Sequence, residues 1–172
     1  MWEYANGIDD QEVIYKYELP KSISNSTTLA KDIEGLDRIN EVILTLAEYV
    51  SFRLRKYNML ANVVNVGLRT SDFNDFSHQK KLDIATSNTK DIYLKAKELA
   101  LEMYKGEAIR LISLKVDKLC NKDEIQLSLF DEEKNKKQEN LDKTLDILKK
   151  KYGYEKITRA GKLGLENKIK LK

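Results

Sequence analysis

Small polar and basic side chains recur at alternate positions in three stretches of the chain. They are Asn65, Arg69, Ser71, Ser77, Gln79 and Lys115. Alternate residues of an extended strand project from the same face of a sheet. Hydroxyl, amide and cationic groups on one sheet face suit hydrogen bonding to phosphate oxygens. The alternative is an ordinary solvated sheet face, and the absence of interleaved aromatic residues argues against stacking on single-stranded bases.

A short apolar peptide between charged flanks is the second candidate for binding. Its residues are Gln126, Leu127, Ser128, Leu129 and Phe130. An exposed apolar peptide lowers solubility unless something binds it, and extended peptides dock into grooves through alternating anchors. Leu129 and Phe130 would then fill an apolar pocket, and the Gln126 amide would fix the register. The alternative is a fifth strand, or a peptide folded back on the chain's own core.

Residue counts exclude several other kinds of chemistry. One Cys cannot form a disulfide framework and suits a reducing compartment such as the cytoplasm. One His beside it cannot build a structural zinc site without several carboxylates, so we predict neither a metal site nor a cofactor. No nucleophile and base form a plausible catalytic pair. No apolar run approaches the roughly 18 residues that a membrane span needs.

The charge of the chain is unevenly distributed along its length. Charged residues make up 34% of the sequence, yet the formal net charge is only +3. Residues 1–119 contain 17 basic and 18 acidic residues, whereas residues 120–172 contain 14 and 10. If the larger part binds a polyanion, its positive side chains must lie together on one face. We therefore expect the basic residues to share one face of the predicted sheet.

The hydrophobic periodicity predicts six elements that would position these side chains. They are a polar edge strand at 20–29, a helix at 34–57, a strand at 62–72, its hairpin partner at 73–84, a helix at 90–104 and a strand at 109–118. The order predicts an α+β fold, a two-layer β-α-β-β-α-β sandwich with two helices on one face of a four-stranded sheet. A C-terminal helical or flexible extension follows, with a helix predicted at 138–152.

The first predicted helix has one apolar face and one charged face. It carries Leu36 and Tyr57 at the ends of its apolar face, and Asn58 is predicted to stop it. Its charged face, with Glu48 and Arg55, is predicted to lie in water. We place domain boundaries to give a connecting segment at 1–18, a folded domain at 19–119 and a tail at 120–172. The boundary between domain and tail lies near Leu119–Glu124.

Six strings in this order resemble one known family. They are GID at 7–9, KSISNSTTL at 21–29, LAEYVSFRLRK at 46–56, GLRTSDF at 67–73, FSHQKKL at 76–82 and IRLISLKV at 109–116. Together they resemble the end of the thumb and the little-finger domain of a bacterial Y-family translesion DNA polymerase, a family of DNA-damage repair. The pentapeptide QLSLF resembles the motif by which such polymerases bind the bacterial sliding clamp.

The resemblance implies a set of contacts to the backbone of duplex DNA. By position, the contacts implied are Lys21, Ser22, Ser24 and Asn25 near the linker, Ser77, His78, Gln79 and Lys80 from the hairpin, and Arg110 and Lys115 from the last strand. Arg69 and Ser71 are added from the alternation alone. His78 stands where the family usually has Arg, and Leu111 occupies a site where some members have Arg. The smaller charge predicts a weaker grip and a flatter dependence on salt.

The resemblance also implies a division of labour in damage bypass and the SOS response. The metal-binding carboxylates of the family's palm domain lie upstream of these motifs. We therefore expect a non-catalytic, monomeric fragment that binds primer-template DNA in the nucleoid, with Mg²⁺ only in the palm. The alternative is a stand-alone regulatory protein that binds the clamp and DNA without polymerase domains. An RNA-binding module is disfavoured because its aromatic motif is missing.

Overall fold

The computed structural model describes residues 2–10, 12, 19–122, 132–153 and 156–159. The elements are α1 (Trp2–Ala5), β1 (Ser22–Ile33), α2 (Leu36–Lys56), β2 (Met59–Thr70), β3 (Asp75–Thr86), α3 (Thr89–Met103), β4 (Ile109–Asp117), β5 (Cys120–Asn121) and α4 (Glu132–Tyr152). The predicted β-α-β-β-α-β order is confirmed from β1 to β4. Trp2 and Tyr4 in α1 are largely exposed, so neither covers the edge of the core.

The sheet has the strand order β1-β4-β2-β3, and every neighbouring pair is antiparallel. Strands β2 and β4 lie in the centre, and the polar strand β1 and the hairpin strand β3 form the edges. Pro20 precedes β1, where a missing N–H costs the sheet no hydrogen bond. The short strand β5 continues the chain beyond β4 and pairs with the start of β2.

One face of the sheet is covered by α2 and α3. Val64, Val66 and Leu68 of β2 are buried in a single cluster with apolar residues of both helices. On α3, the five positions predicted to be apolar and buried are all at most 7% exposed: Ile92, Ala96, Leu99, Ala100 and Met103. The two-layer architecture therefore follows directly from alternation in the strands and from three- and four-residue spacing in the helices.

The ends of α2 are set by backbone geometry. Gly35 precedes the helix with φ of 92°, which a residue without Cβ adopts at little cost. Asn58 follows it with φ of 53°, as the predicted stop requires, because Asn tolerates the left-handed region better than most residues. Tyr57 therefore lies beyond the last helical turn and is 44% exposed, so its placement on the apolar face was wrong.

The prediction that the charged face of α2 lies in water was wrong for Glu48 and Arg55. Helix α4 packs against this face, and the two side chains are only 10% and 12% exposed. Arg55 Nε lies 2.6 Å from Asp146 Oδ2, and Lys149 Nζ lies 2.8 Å from Glu48 Oε2. These ion pairs therefore hold α4 against the charged face of α2.

Asp142 is the centre of this contact and is 1% exposed. Its Oδ1 accepts a hydrogen bond from Arg159 Nη2 at 2.8 Å, and its Oδ2 lies 3.4 Å from Arg55 Nη1. The backbone N–H of Thr89, the first residue of α3, also donates to Oδ2 at 3.0 Å. A carboxylate at a helix N-terminus is favourable because it meets unpaired N–H groups and the positive end of the dipole. The tail helix thus caps a helix of the domain.

Candidate nucleic-acid interface

The face of the sheet that α2 and α3 leave uncovered, here called the open face, is built from cross-strand rows. The strand register places Ser26, Ser113, Gly67 and Ser77 in one row and Ser24, Lys115, Asn65 and Gln79 in the next. The flanking rows are Thr28, Leu111, Arg69 and Asp75 on one side and Ser22, Asp117, Val63 and Lys81 on the other. These first two rows, which are adjacent, therefore consist of Gly, Ser, Asn and Gln residues and a single Lys.

The first row does not protrude from the sheet, because all four of its residues are Ser or Gly. Gly67 faces Ser113 so closely that a Cβ on Gly67 would lie 2.5 Å from the Ser113 Oγ. Ser113 Oγ donates a hydrogen bond of 3.4 Å to the Gly67 carbonyl oxygen. Gly in a strand interior often marks a place where another backbone approaches closely. The row forms a shallow track across the sheet in which a ligand can approach the strand backbones.

Two basic residues of the open face are paired with carboxylates of the same face. Arg69 binds Asp75 through two hydrogen bonds, Nε to Oδ1 at 2.6 Å and Nη2 to Oδ2 at 2.8 Å. Lys115 Nζ lies 3.0 Å from Asp117 Oδ1. The hydrogen bond with Arg69 holds the pKa of Asp75 below its usual value, and the hydrogen bond with Asp75 raises the pKa of Arg69. Both Arg69 and Lys115 remain partly exposed.

The expectation that the positive residues share one sheet face holds only in part. Of the basic residues predicted to contact DNA, Arg69 and Lys115 lie on the open face, together with Lys81, which was not among the predicted contacts. His78 pairs with Val66, and Lys80 with Val64, so both lie on the side of the sheet that carries the helices. Lys80 Nζ donates to Glu98 Oε1 of α3 at 2.8 Å and also to Glu102. These hydrogen bonds, to Glu102 and then Glu98, raise the pKa of Lys80.

Strand alternation is the reason that the predicted hairpin contacts divide between the two faces. Four consecutive residues, Ser77 to Lys80, cannot project from the same side of a strand. Ser77 and Gln79 lie on the open face. The same alternation separates Asn25, which pairs with the buried Leu114, from Ser22 and Ser24, which lie on the open face. Arg53 of α2 donates to the Ser24 carbonyl oxygen at 2.9 Å and holds this edge strand against the helix layer.

Three of the predicted residues lie at the margins of the sheet. Lys21 precedes β1 and is exposed. Ser71 belongs to the turn after β2 rather than to the strand, and its N–H donates to the Ala108 carbonyl oxygen at 2.9 Å. Arg110 lies at the irregularity where the β2–β4 register shifts. It binds Asp32 through Nε at 3.1 Å and Nη2 at 3.0 Å, and its guanidinium lies 5.0 Å from the Phe73 ring centroid.

Ser26, Gly67 and Ser113 were not among the predicted site residues, although together with Ser77 they form one complete row of the open face. The alternation in β2 and β4 placed Gly67 and Ser113 on the sheet face opposite the buried residues. This alternation was the sequence signal that could have identified them as site residues. Small residues make no strong individual contact, so residue type alone does not single them out. Only the register reveals that they form a continuous row.

The predicted clamp-binding residues, Gln126, Leu127, Ser128, Leu129 and Phe130, lie outside the described residues. The last described residue before them is Lys122. Its N–H donates to the Asn58 carbonyl oxygen at 3.1 Å, and its Nζ lies 2.6 Å from Glu139 Oε2 of α4. Within the described residues there is no cluster of His, Cys, Asp and Glu suited to a metal ion, and no helix is long and apolar enough to cross a membrane.

Comparison with known proteins agrees with this geometry. The model of the impB/mucB/samB family C-terminal domain matches residues 20–129. The chain is 43% identical to DNA polymerase IV of Clostridium acetobutylicum over 168 residues, which are 98% of this chain and 42% of that protein. It is 33% identical to DNA polymerase IV of Acetivibrio thermocellus, covering 93% of this chain and 41% of that protein. The chain thus spans about two fifths of the length of these relatives.

A solved complex of the beta-clamp processivity factor with the little-finger domain of PolIV gives a structural match. The TM-score is 0.50 and the sequence identity 25%, and the match covers 63% of this chain and 97% of the other. The family match spans β1 to β5, the region that contains the sheet and both covering helices. The chain therefore belongs to the impB/mucB/samB family and carries its C-terminal domain, the little finger of Y-family DNA polymerases.

Proposed function

We propose that the open face binds the backbone of duplex DNA without reading its sequence. The two rows of small and hydrogen-bonding side chains carry this proposal, because they let phosphates approach the strands and offer them donors. Contacts to phosphates position a protein on DNA but carry no sequence information. The four cross-strand rows contain no aromatic side chain, which favours duplex backbone over unstacked bases as the ligand.

The charge on this face points to modest affinity. The basic residues of the four rows are Arg69, Lys115 and Lys81, and Asp75 and Asp117 pair with the first two. A grip made largely of hydroxyl, amide and backbone groups releases few counterions, so its affinity falls gently as salt rises. Lys21 and Arg110 add contacts at the margins of the sheet, and His78 and Lys80 add contacts from the helix-bearing side of the edge strand β3.

We also propose that residues 126–130 bind the bacterial sliding clamp. The resemblance of QLSLF to the clamp-binding motif supports this assignment, as does the match to a little finger solved with a beta clamp. Leu129 and Phe130 would enter the clamp's apolar pocket, and Gln126 would fix the register through its amide. A tether of this kind raises the effective concentration of the DNA-binding domain at the primer end without adding catalytic contacts.

The two activities together suit a part of a cytoplasmic translesion DNA polymerase that supports, but does not perform, phosphoryl transfer. The full-length relatives are named DNA polymerase IV, and the chain aligns with about two fifths of each. Phosphoryl transfer requires carboxylates that hold metal ions against the primer and the nucleotide. We assign that chemistry to the palm domain of the parent protein, so the chain alone binds primer-template DNA and does not extend it.

The duplex-binding proposal is tested with two double variants. One removes two positive charges from the open face, and the other removes two from the helices. We expect the double variant Arg69→Ala, Lys115→Ala to bind duplex DNA on the order of tenfold more weakly, because two charge-assisted phosphate contacts are lost. The slope of log affinity against log salt should fall by up to about two units. Fluorescence anisotropy with two duplexes of unrelated sequence measures both quantities.

The matched control is Lys56→Ala, Lys97→Ala, which removes the same charge from exposed positions on the helices. It should change affinity less than twofold. Equal losses in the two double variants would contradict a role for the open face. A loss confined to one duplex sequence would contradict backbone recognition.

A further inference from the structure

Four basic residues of the proposed DNA-contact set are bound to carboxylates of the protein itself. Arg69 pairs with Asp75, Lys115 with Asp117, Arg110 with Asp32, and Lys80 with Glu98 and Glu102. The two arginine pairs have the stronger geometry, because each guanidinium meets both oxygens of one carboxylate at distances between 2.6 and 3.1 Å.

A carboxylate occupies the edge of the guanidinium that a phosphate would use. Arg binds either anion through two parallel N–H groups, so the ligands compete for the same donors. Arg69 uses Nε and Nη2 for Asp75, and Arg110 uses the same two atoms for Asp32. A phosphate that reaches either Arg must therefore displace the carboxylate or share the cation with it.

The exposure of the pairs makes displacement feasible. The side chains of Arg69 and Asp75 are 39% and 63% exposed, and those of Arg110 and Asp32 are 36% and 28% exposed. Exposed ion pairs contribute little to folding stability, so the domain survives their opening. What the carboxylate changes is binding, because it neutralises the cation and occupies the N–H groups that a phosphate would use.

We propose that Asp75 and Asp32 limit DNA affinity by competing with backbone phosphates for Arg69 and Arg110. This inference rests on the proposed binding of duplex DNA by this domain. The competition keeps each cation in a defined position while weakening its attraction for DNA. Weaker contacts of this kind act mainly by speeding the dissociation of DNA.

Neutral isosteres of the two carboxylates test this competition in the full chain. We expect Asp75→Asn and Asp32→Asn each to bind a 20-base-pair duplex about three- to tenfold more tightly at low salt, with a salt slope steeper by up to about one unit. Glu41→Gln is the control, because it adds the same charge on α2 in the helix layer. It should change affinity less than twofold.

A double variant shows whether the gain passes through the paired cation. In the Arg69→Ala background, Asp75→Asn should give less than a twofold gain, because the competed donor is absent. Tighter binding that persists in this background, or an equal gain in Glu41→Gln, would overturn the inference in favour of net charge. Wild-type chain that fails to bind the duplex would instead refute the proposed function. Wild-type binding with no gain in either Asn variant would refute the competition alone.

Discussion

Replacing Asp142 with alanine is expected to lower the free energy of unfolding by about 2–3 kcal/mol. The change removes a carboxylate that is 1% exposed and that accepts hydrogen bonds from Arg159 and from the N–H of Thr89. It also removes one carboxylate partner from Arg55 and one from Arg159. Both arginines keep a second carboxylate, Asp146 and Glu48 respectively, so the loss stays below that of an isolated buried charge.

Urea denaturation followed by circular dichroism measures the global effect of Asp142→Ala. Hydrogen exchange at the Thr89 amide measures the local one, because this amide loses its acceptor at the start of α3. Lys143→Ala is the matched control, since Lys143 is the neighbouring residue on α4 and is exposed. A variant at Asp142 that unfolds at the same urea concentration as Lys143→Ala would contradict the docking of α4 through this carboxylate.

Replacing Phe130 with alanine is expected to weaken binding to the bacterial sliding clamp by at least about thirtyfold. A buried aromatic anchor that fills a pocket contributes about 2 kcal/mol or more at an interface, and the remaining residues of the motif then bind too weakly to compensate. Isothermal titration calorimetry of the chain with purified clamp measures the loss. DNA affinity should stay unchanged, because residues 126–130 follow the last strand of the sheet in sequence and are not part of the proposed DNA-contact set.

Tyr152→Ala serves as the control for this substitution. Tyr152 is also an aromatic residue of the tail, is 55% exposed, and lies at the end of α4 outside the motif. Its loss should leave clamp affinity within a factor of two. Retention of wild-type clamp affinity by Phe130→Ala would remove the peptide from the proposed interface.

The strands and the face that the helices cover could be predicted because both follow from the alternation of apolar and polar residues. Val64, Val66 and Leu68 alternate with Asn65, Gly67 and Arg69, and this alternation assigned every one of them to the correct face. The C-terminal end of α2 was equally predictable, because Asn58 tolerates the left-handed backbone conformation that follows the helix. Local sequence carries this information, because burial in a two-layer fold repeats at a fixed period along each element.

The docking of α4 could not be predicted from hydrophobic periodicity. Leu141, Leu145 and Leu148 gave the signal for the helix, yet Leu141 is 48% exposed while Asp142 and Lys149 are buried. The helix binds the domain through charges, whose partners Glu48 and Arg55 lie about a hundred residues away in sequence. A charged residue gives the same local signal whether water or an opposite charge surrounds it.

Residue type alone also could not predict which face of the sheet each basic residue occupies. The resemblance assigned Ser77, His78, Gln79 and Lys80 to one contact group, whereas the register sends alternate members to opposite faces. Likewise, the pairing of Arg69 with Asp75 requires knowledge of the hairpin register. The net charge of the folded domain therefore says less about DNA binding than the positions of its carboxylates do.

The most direct test of the central claim is an NMR titration of the isotopically labelled chain with a short duplex of arbitrary sequence. The side-chain amides of Asn65 and Gln79 report on the open face, and the side-chain amide of Asn140 reports on α4. We predict large, saturable shifts at Asn65 and Gln79 and at the backbone amides of Gly67 and Ser113, with Asn140 unchanged. Saturating DNA that shifts α4 or the basic C-terminal residues while Asn65 and Gln79 stay in place would contradict the account.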